Sequence, residues 1–237
     1  MFKLNIPDNC TNVKIDVGLS YGANQSSTWL DNEEDLFVVG FEPNPDSVSN
    51  IKVGNIKLRH PSHAGAGKPL DKKHLDSGRM VIINKALSNV DKEEEMSFYV
   101  NSKDCGTSSL FKHDEKYLGP IKEIINVPVI NLKMFFDEFP WDRFEYIDYI
   151  KIDAQGSDLN ILKGAGGYLK EKVVYVTAEP DGYQYFGAGE CNANNITNYM
   201  ISQNFVRVNH PNTCDPTFLN KKFLENSIYK NIYIEQR

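Results

Sequence analysis

The stretch "VKIDVGLSYGANQSSTWL", Val13–Leu30, carries the first residues whose spacing suits a ligand: an apolar run (Val13, Ile15, Val17) ends at Gly18, and Gly22 follows before the chain turns polar. Glycines at such a corner let the backbone turn sharply and approach a ligand closely. A dinucleotide would call for G-x-G-x-x-G, with its pyrophosphate on a helix N-terminus. "GLSYG" offers two glycines, sets Tyr21 where a phosphate would approach, and is not a Walker sequence. A later apolar run ends in "VVGFEPNP", and its Glu42 lies at the separation from the corner at which an acid accepts hydrogen bonds from ribose hydroxyls. A nucleoside without phosphates satisfies both features, and S-adenosylmethionine is the common one of that kind. The same residues also admit a tight turn and a surface glutamate. The missing third glycine counts against a nicotinamide-dependent (NAD(P)) oxidoreductase.

These residues need elements to hold them. Apolar runs bounded by Gly, Pro and Asn predict strands at Lys14–Gly18, Phe37–Glu42, Val81–Lys85, Tyr149–Asp153, Val173–Glu179, Phe205–Asn209 and Lys230–Glu235. Helices are predicted over Asn24–Leu30, Asp46–Val53, Leu132–Glu138, Leu159–Gly164 and Asn192–Gln203. The alternation implies an α/β fold, a mostly parallel sheet with helices on both faces, whose ligands sit beyond the carboxyl ends of the strands. Two segments break the rhythm. Arg59–Arg79 is polar, carries His60, His63 and His74, and reads as a ligand-facing excursion. Met96–Val100 and Ser108–Phe111 flank "NSKDCGT" and read as a β-hairpin inserted over 96–111. No linker or repeat divides the 237 residues, so one domain over 1–237 is expected.

Bulk properties exclude several classes. With 41% hydrophobic and 24% charged residues the composition is that of a globular protein, not a disordered chain. A formal net charge of −6 argues against nucleic acid and anionic membrane surfaces as non-specific partners. Aliphatic runs such as "MVII" are far too short for a membrane span. "MFKLNIPDNC" lacks the pattern of a signal peptide, so a cytoplasmic protein is expected, with Cys10, Cys105, Cys191 and Cys214 as reduced thiols. Three N-x-S/T matches are then accidental.

A second chemical stretch, "YIDYIKIDAQGSDLNILKGAGGYL" (Tyr146–Leu169), is a strand closing on Asp153, a turn through Gly156 and a helix with Leu159 and Leu162 turned inward. Together with "IDVGLSYG", "GFEPNP" and "VTAEPD" it makes the chain, from about Val13 to Asp181, resemble the FkbM family of S-adenosylmethionine-dependent methyltransferases. The resemblance implies a class I methyltransferase fold, a Rossmann-like seven-stranded sheet whose last strand is antiparallel, which "KNIYIE" could supply. It implies that Asp16, Gly18 and Gly22 hold the methionine part of the cofactor, with Asn24 beside them. Glu42 would take the ribose hydroxyls next to Asn44, and Asn84, Ala86 and Ser88 of "NKALS" would hold the adenine. Asp153 would end its strand beside the sulfonium, where a carboxylate faces a cationic methyl donor. The family's motif reads close to "KIDVEGAE"; here it is "KIDAQGSD", so Gln155 replaces an acid and Asp158 a longer one.

The resemblance further implies O-methylation of a sugar or glycan hydroxyl, the acceptor being the partner. An in-line displacement aligns oxygen, carbon and sulfur, and an aliphatic hydroxyl needs a base or a metal ion to activate it. Asp153 and Glu179 are the catalytic candidates. Asp153, Glu179 and Asp181, ending neighbouring strands, are the candidate ligands for a divalent cation, Mg²⁺ or Mn²⁺. Alternatively Glu179 caps a turn before Pro180 and Asp153 acts alone. The aromatics of "DGYQYFG" could stack on a sugar or simply pack their loop. His113 and His210 have no assigned role. Gln155 also motivates an alternative, an inactive cofactor-binding module.

Overall fold

The structure, a computed structural model, describes residues 2, 4–54, 68–209 and 215–224. In chain order the first half holds β1 (Asn12–Val17), α1 (Asn24–Asn32), β2 (Leu36–Phe41), α2 (Pro45–Val53), α3 (Lys72–Asp76), β3 (Met80–Ile83), β4 (Ala86–Leu87) and β5 (Glu94–Asn101). Then come α4 (Glu115–Leu118), β6 (Ile121–Ile130), α5 (Leu132–Asp137), β7 (Ile147–Ile152), α6 (Asp158–Lys163), α7 (Gly167–Lys172), β8 (Val173–Ala178), α8 (Ala193–Ser202), β9 (Phe205–Val208) and β10 (Thr217–Asn220).

Seven strands form the main sheet in the order β3-β2-β1-β7-β8-β10-β9. All pair parallel except β10, which runs antiparallel to both β8 and β9. The order reverses between β1 and β7, so a crevice opens beyond the ends of these two strands. β2, "LFVVGF", is buried along its whole length, as a central parallel strand covered on both faces must be. One side of the sheet packs on the aromatic face of α5, where Phe135 and Phe136 are fully buried and Phe135 meets Phe41 edge-on at 5.3 Å. The other packs on Trp29 and Leu30 of α1 and Ile51 of α2. Asparagines start three of the helices: Asn44, Asn131 and Asn192 accept backbone N–H groups in the first turns of α2, α5 and α8. Among the described residues no helix is long and apolar enough to cross a membrane.

Three expectations change. The antiparallel strand is Thr217–Asn220; Lys230–Glu235 lies outside the described residues, as do His60, His63 and His210. The inserted strand β5 forms no ladder with Ser108–Phe111, meeting it at an isolated bridge, Tyr99 with Ser109, and through Asn101 N–H on Ser108 Oγ. Its partner is β6, antiparallel from Glu94↔Val129 to Asn101↔Ile121, and β4 completes a second, three-stranded sheet. The described part of Arg59–Arg79 includes the helix α3, capped by Asp71, and buries His74 against Asp31 at 2.9 Å.

Candidate active site

The corner after β1 is built by close approach. Gly18 has φ +83°, and a Cβ there would lie 1.9 Å from the carbonyl oxygen of Asp153, so the ends of β1 and β7 meet over a missing side chain. Ser20 and Ala23 also take left-handed backbone conformations, φ +55° and +48°, the kind of strain that persists where a site requires it. Asp16 is buried at the end of β1. Its Oδ2 accepts from Ser26 N–H at 3.2 Å and from Ser26 Oγ at 2.6 Å, tying α1 to the strand. Its Oδ1 has no hydrogen-bond partner and lies 3.8 Å from Lys151 Nζ. Burial raises the Asp16 carboxyl above its usual range, against the pull of Lys151.

Glu42, just past β2, accepts Ser20 N–H on Oε2 and Asn44 N–H on Oε1, both at 2.9 Å. Burial nonetheless pushes it up to about 8. Asn84 donates to the carbonyls of Glu42 and Pro43 at 2.8 and 2.9 Å, bracing the turn from behind. Asn44 spends its side chain on the cap of α2.

At the end of β7, Lys151 and Asp153 share one face of the strand by its two-residue period. Lys151 Nζ lies 3.1 Å from Asp153 Oδ2. Burial opposes the lysine's charge, but Asp153 and Asp16 outweigh it and hold its pKa above the usual range. Burial likewise opposes ionisation of Asp153, and Lys151, Glu179 and Gln155 overcome it, so Asp153 stays below its usual value. Glu179 goes the other way: burial and the adjacent Asp153 hold it well above, so it keeps the proton of the pair. Gln155 Nε2 donates to Asp153 Oδ1 at 2.6 Å and to Glu179 Oε2 at 2.9 Å. Asp158 accepts Ala154 N–H at 3.1 Å and Glu179 N–H at 2.9 Å, joining the ends of β7 and β8. Asp181 is buried with Oδ1 unpartnered, and burial together with Asp153 pushes it up to about 7.

Two clefts adjoin at Asp153. The first, about 570 Å³ of empty space, is walled by Phe41, Leu87, Phe98 and Leu110 with Glu42 at its edge. The second, about 1090 Å³, is lined by Asp16, Lys151, Asp153, Gln155, Glu179 and Asp181. Gly18 and Asp153 line both; Ala86 lines the first and Asn24 the second. Gly22, Asn44, Asn84 and Ser88 line neither. Lys151, Phe98 and Gly106 were not anticipated, and Tyr185 was expected only as one of the aromatics of "DGYQYFG", not as a partner of Gln155. The alternation in "KID" could have found Lys151, whereas the others come from the inserted segment and a loop, where pattern carries no contact information.

The acidic residues do not fit a divalent ion between Asp153 and Glu179. A lysine ammonium 3.1 Å from Asp153 would repel a cation placed there, and a glutamine amide already donates to both carboxyls. Among the described residues the ligand atoms that gather within 4.8 Å are those of Asp158, Asp181 and Cys191, not the expected trio. There Asp158 is committed to two backbone N–H groups, and burial pushes the Cys191 thiol up to about 12, far from the thiolate a metal binds. His113 is structural as well, buried with Nε2 3.0 Å from the Gly119 carbonyl.

The strand order is that of a Rossmann-like methyltransferase fold, and the glycine corner, the acid after β2 and the acid closing β7 gather at the clefts beside the point where that order reverses. The comparison with curated proteins returns no match. Residues 16–207 match the family described as "Methyltransferase FkbM domain", a span that includes the glycine corner and both acids, and the chain belongs to that family of methyltransferases.

Proposed function

We propose that the protein transfers the methyl group of S-adenosylmethionine to a hydroxyl of a sugar, on a glycan or its precursor. The observation that carries the reading is the acidic lining of the second cleft: Asp16, Asp153 and Asp181, beside the protonated Glu179, face a single basic side chain, Lys151, among the described residues. Such a site calls for a cationic ligand. S-adenosylmethionine carries a sulfonium and an ammonium, and it supplies a methyl group that leaves sulfur for an attacking oxygen. On this reading Glu42 accepts the ribose hydroxyls, the apolar walls of the first cleft take the adenine, and the unpartnered Oδ1 of Asp16 takes the ammonium.

Asp153, ionised and lining both clefts, is the base. As the acceptor oxygen forms its bond to carbon and the carbon–sulfur bond breaks, the hydroxyl proton passes to Asp153 and then to solvent. Glu179, protonated, donates to Asp153 and does not take the acceptor's proton. The protein supplies alignment, exclusion of water and one proton acceptor. A cytoplasmic setting belongs to the same proposal, supported by Cys10, Cys105 and Cys191 being thiols.

Purified protein, labelled S-adenosylmethionine and a panel of neutral mono- and oligosaccharides, read by mass spectrometry, test it. Methylated sugar with S-adenosylhomocysteine is expected; cofactor binding without turnover on any acceptor would make the protein a binding module instead. Asp153→Asn should lower kcat by about 10²–10⁴-fold, the scale of general-base catalysis. EDTA should leave turnover unchanged, and loss of activity restored by Mg²⁺ would overturn the metal-free account.

A further inference from the structure

Gln155 stands at the meeting point of several of the site's segments. It follows the end of β7 with φ +53°, a left-handed conformation unfavourable to a side chain other than glycine. Both amide N–H bonds are used, one on Asp153 and one on Glu179. Its Oε1 accepts from Tyr185 Oη at 2.5 Å, and the same hydroxyl lies 3.2 Å from the Thr107 carbonyl. Its backbone carbonyl accepts from Ser109 Oγ at 2.7 Å. The inserted segment at 107–109, the loop after β8 and the ends of β7 and β8 are thus joined through one residue.

The tyrosine fixes which way the amide points. A flipped amide would set its oxygen against the ionised Asp153 carboxylate, giving up the 2.6 Å donor contact there, and the tyrosine hydroxyl could no longer donate to it. Two carboxyls this close do not both ionise. Groups on four elements face Asp153: Lys151 on its own strand, Asp16 from β1, Asp158 from α6, and Glu179 and Asp181 from the segment after β8. The lysine and the shorter amide contact both fall on Asp153, so the donors single it out as the ionised partner.

We propose that Gln155 is a positioning residue: its amide, oriented by Tyr185, ties Asp153 to Glu179 so that Glu179 keeps the shared proton and Asp153 remains free to accept the acceptor's. The proposal rests on the reading of Asp153 as the base. Gln155 touches neither reacting atom in this role; it acts through the two carboxyls.

The test uses Gln155→Glu, which keeps the side chain's length and removes its amide donors, and Tyr185→Phe, which leaves the amide but frees it to turn. Carbon-13 NMR titration of the Asp153 carboxyl needs no acceptor and reads the clamp directly. Its midpoint should rise by roughly one unit or more in Gln155→Glu, the scale for a carboxyl that loses a donor and gains a like-charged neighbour, and by less in Tyr185→Phe. The acid limb of kcat against pH should move up with it. Should Gln155→Glu not fold, Tyr185→Phe alone decides. An unmoved Asp153 midpoint in the folded variants overturns the clamp. A midpoint that moves while the activity limb stays put keeps the clamp and removes Asp153 as the base.

Discussion

The buried carboxyls of the site are alike in chemistry and unlike in state, and their neighbours make the difference. Asp153 has an ammonium and an amide; Glu42 has two backbone N–H groups; Glu179 has mainly other acids around it. Glu42 is therefore the residue where cofactor binding is most directly tested. Removing a buried hydrogen-bonding carboxylate leaves partners unmade, so Glu42→Ala should weaken S-adenosylmethionine binding by ~1–3 kcal/mol in calorimetry. Unchanged affinity would remove its ribose role. Gly18, Glu42 and Asp153 could be picked out in the sequence because each ends an apolar run or sits at a glycine corner, whereas Asp16 was expected only through the family resemblance. The bridge from Gln155 to Tyr185 could not, since it joins residues on separate loops whose approach no local pattern encodes.

At the scale of elements, the corner between β1 and α1 is the joint on which the crevice depends. With a Cβ at 1.9 Å from the Asp153 carbonyl, Gly18→Ala must push β1 and β7 apart or twist a φ of +83° into a region alanine avoids. It should destabilise the fold by more than ~1 kcal/mol in denaturant titration, beyond the gain that stiffening the unfolded chain provides. A variant as stable as the parent would show that the approach is not tight. The strands of the parallel core were legible because they are apolar and bounded by turn residues. β10 was not, because "TFLN" holds only two apolar residues, and β6 was not, because "IKEIINVPVI" interleaves charge and proline with its apolar positions. The inserted sheet consequently took a different partner from the one the nearest apolar run suggested.

For the whole molecule, an acidic crevice without its ligand costs stability as pH rises. Burial, the largest cause in each case, raises Glu42 to about 8, Asp181 to about 7 and Asp148 to about 6. Between their unfolded values and these, the folded chain binds more protons than the unfolded one, so stability must fall as pH increases. Exposed acids held below their usual range, such as Asp31 and Asp137, and the buried Asp153 titrate at lower pH and leave this window alone. The ligand-free protein should melt at a higher temperature at pH 6 than at pH 8, and a melting temperature that rises or stays flat would contradict the assignment. The strand order that creates the crevice was expected through the family resemblance, and it positions two distant halves of the chain around one face: β1 and β2 from the first, β7 and β8 from the second. Sequence pattern alone could say that the sheet was parallel, but not where its order reversed.

The central claim is that an adenosyl sulfonium lies across the ends of β1, β2 and β7 with its reactive carbon beside Asp153. A crystal structure of the protein soaked with S-adenosylmethionine measures that directly. The account predicts the ribose on Glu42, the adenine between Phe41 and Phe98, and the sulfonium next to the Asp153 carboxylate. Density elsewhere, or a dinucleotide taking the crevice in competition with an absent sulfonium ligand, would contradict it.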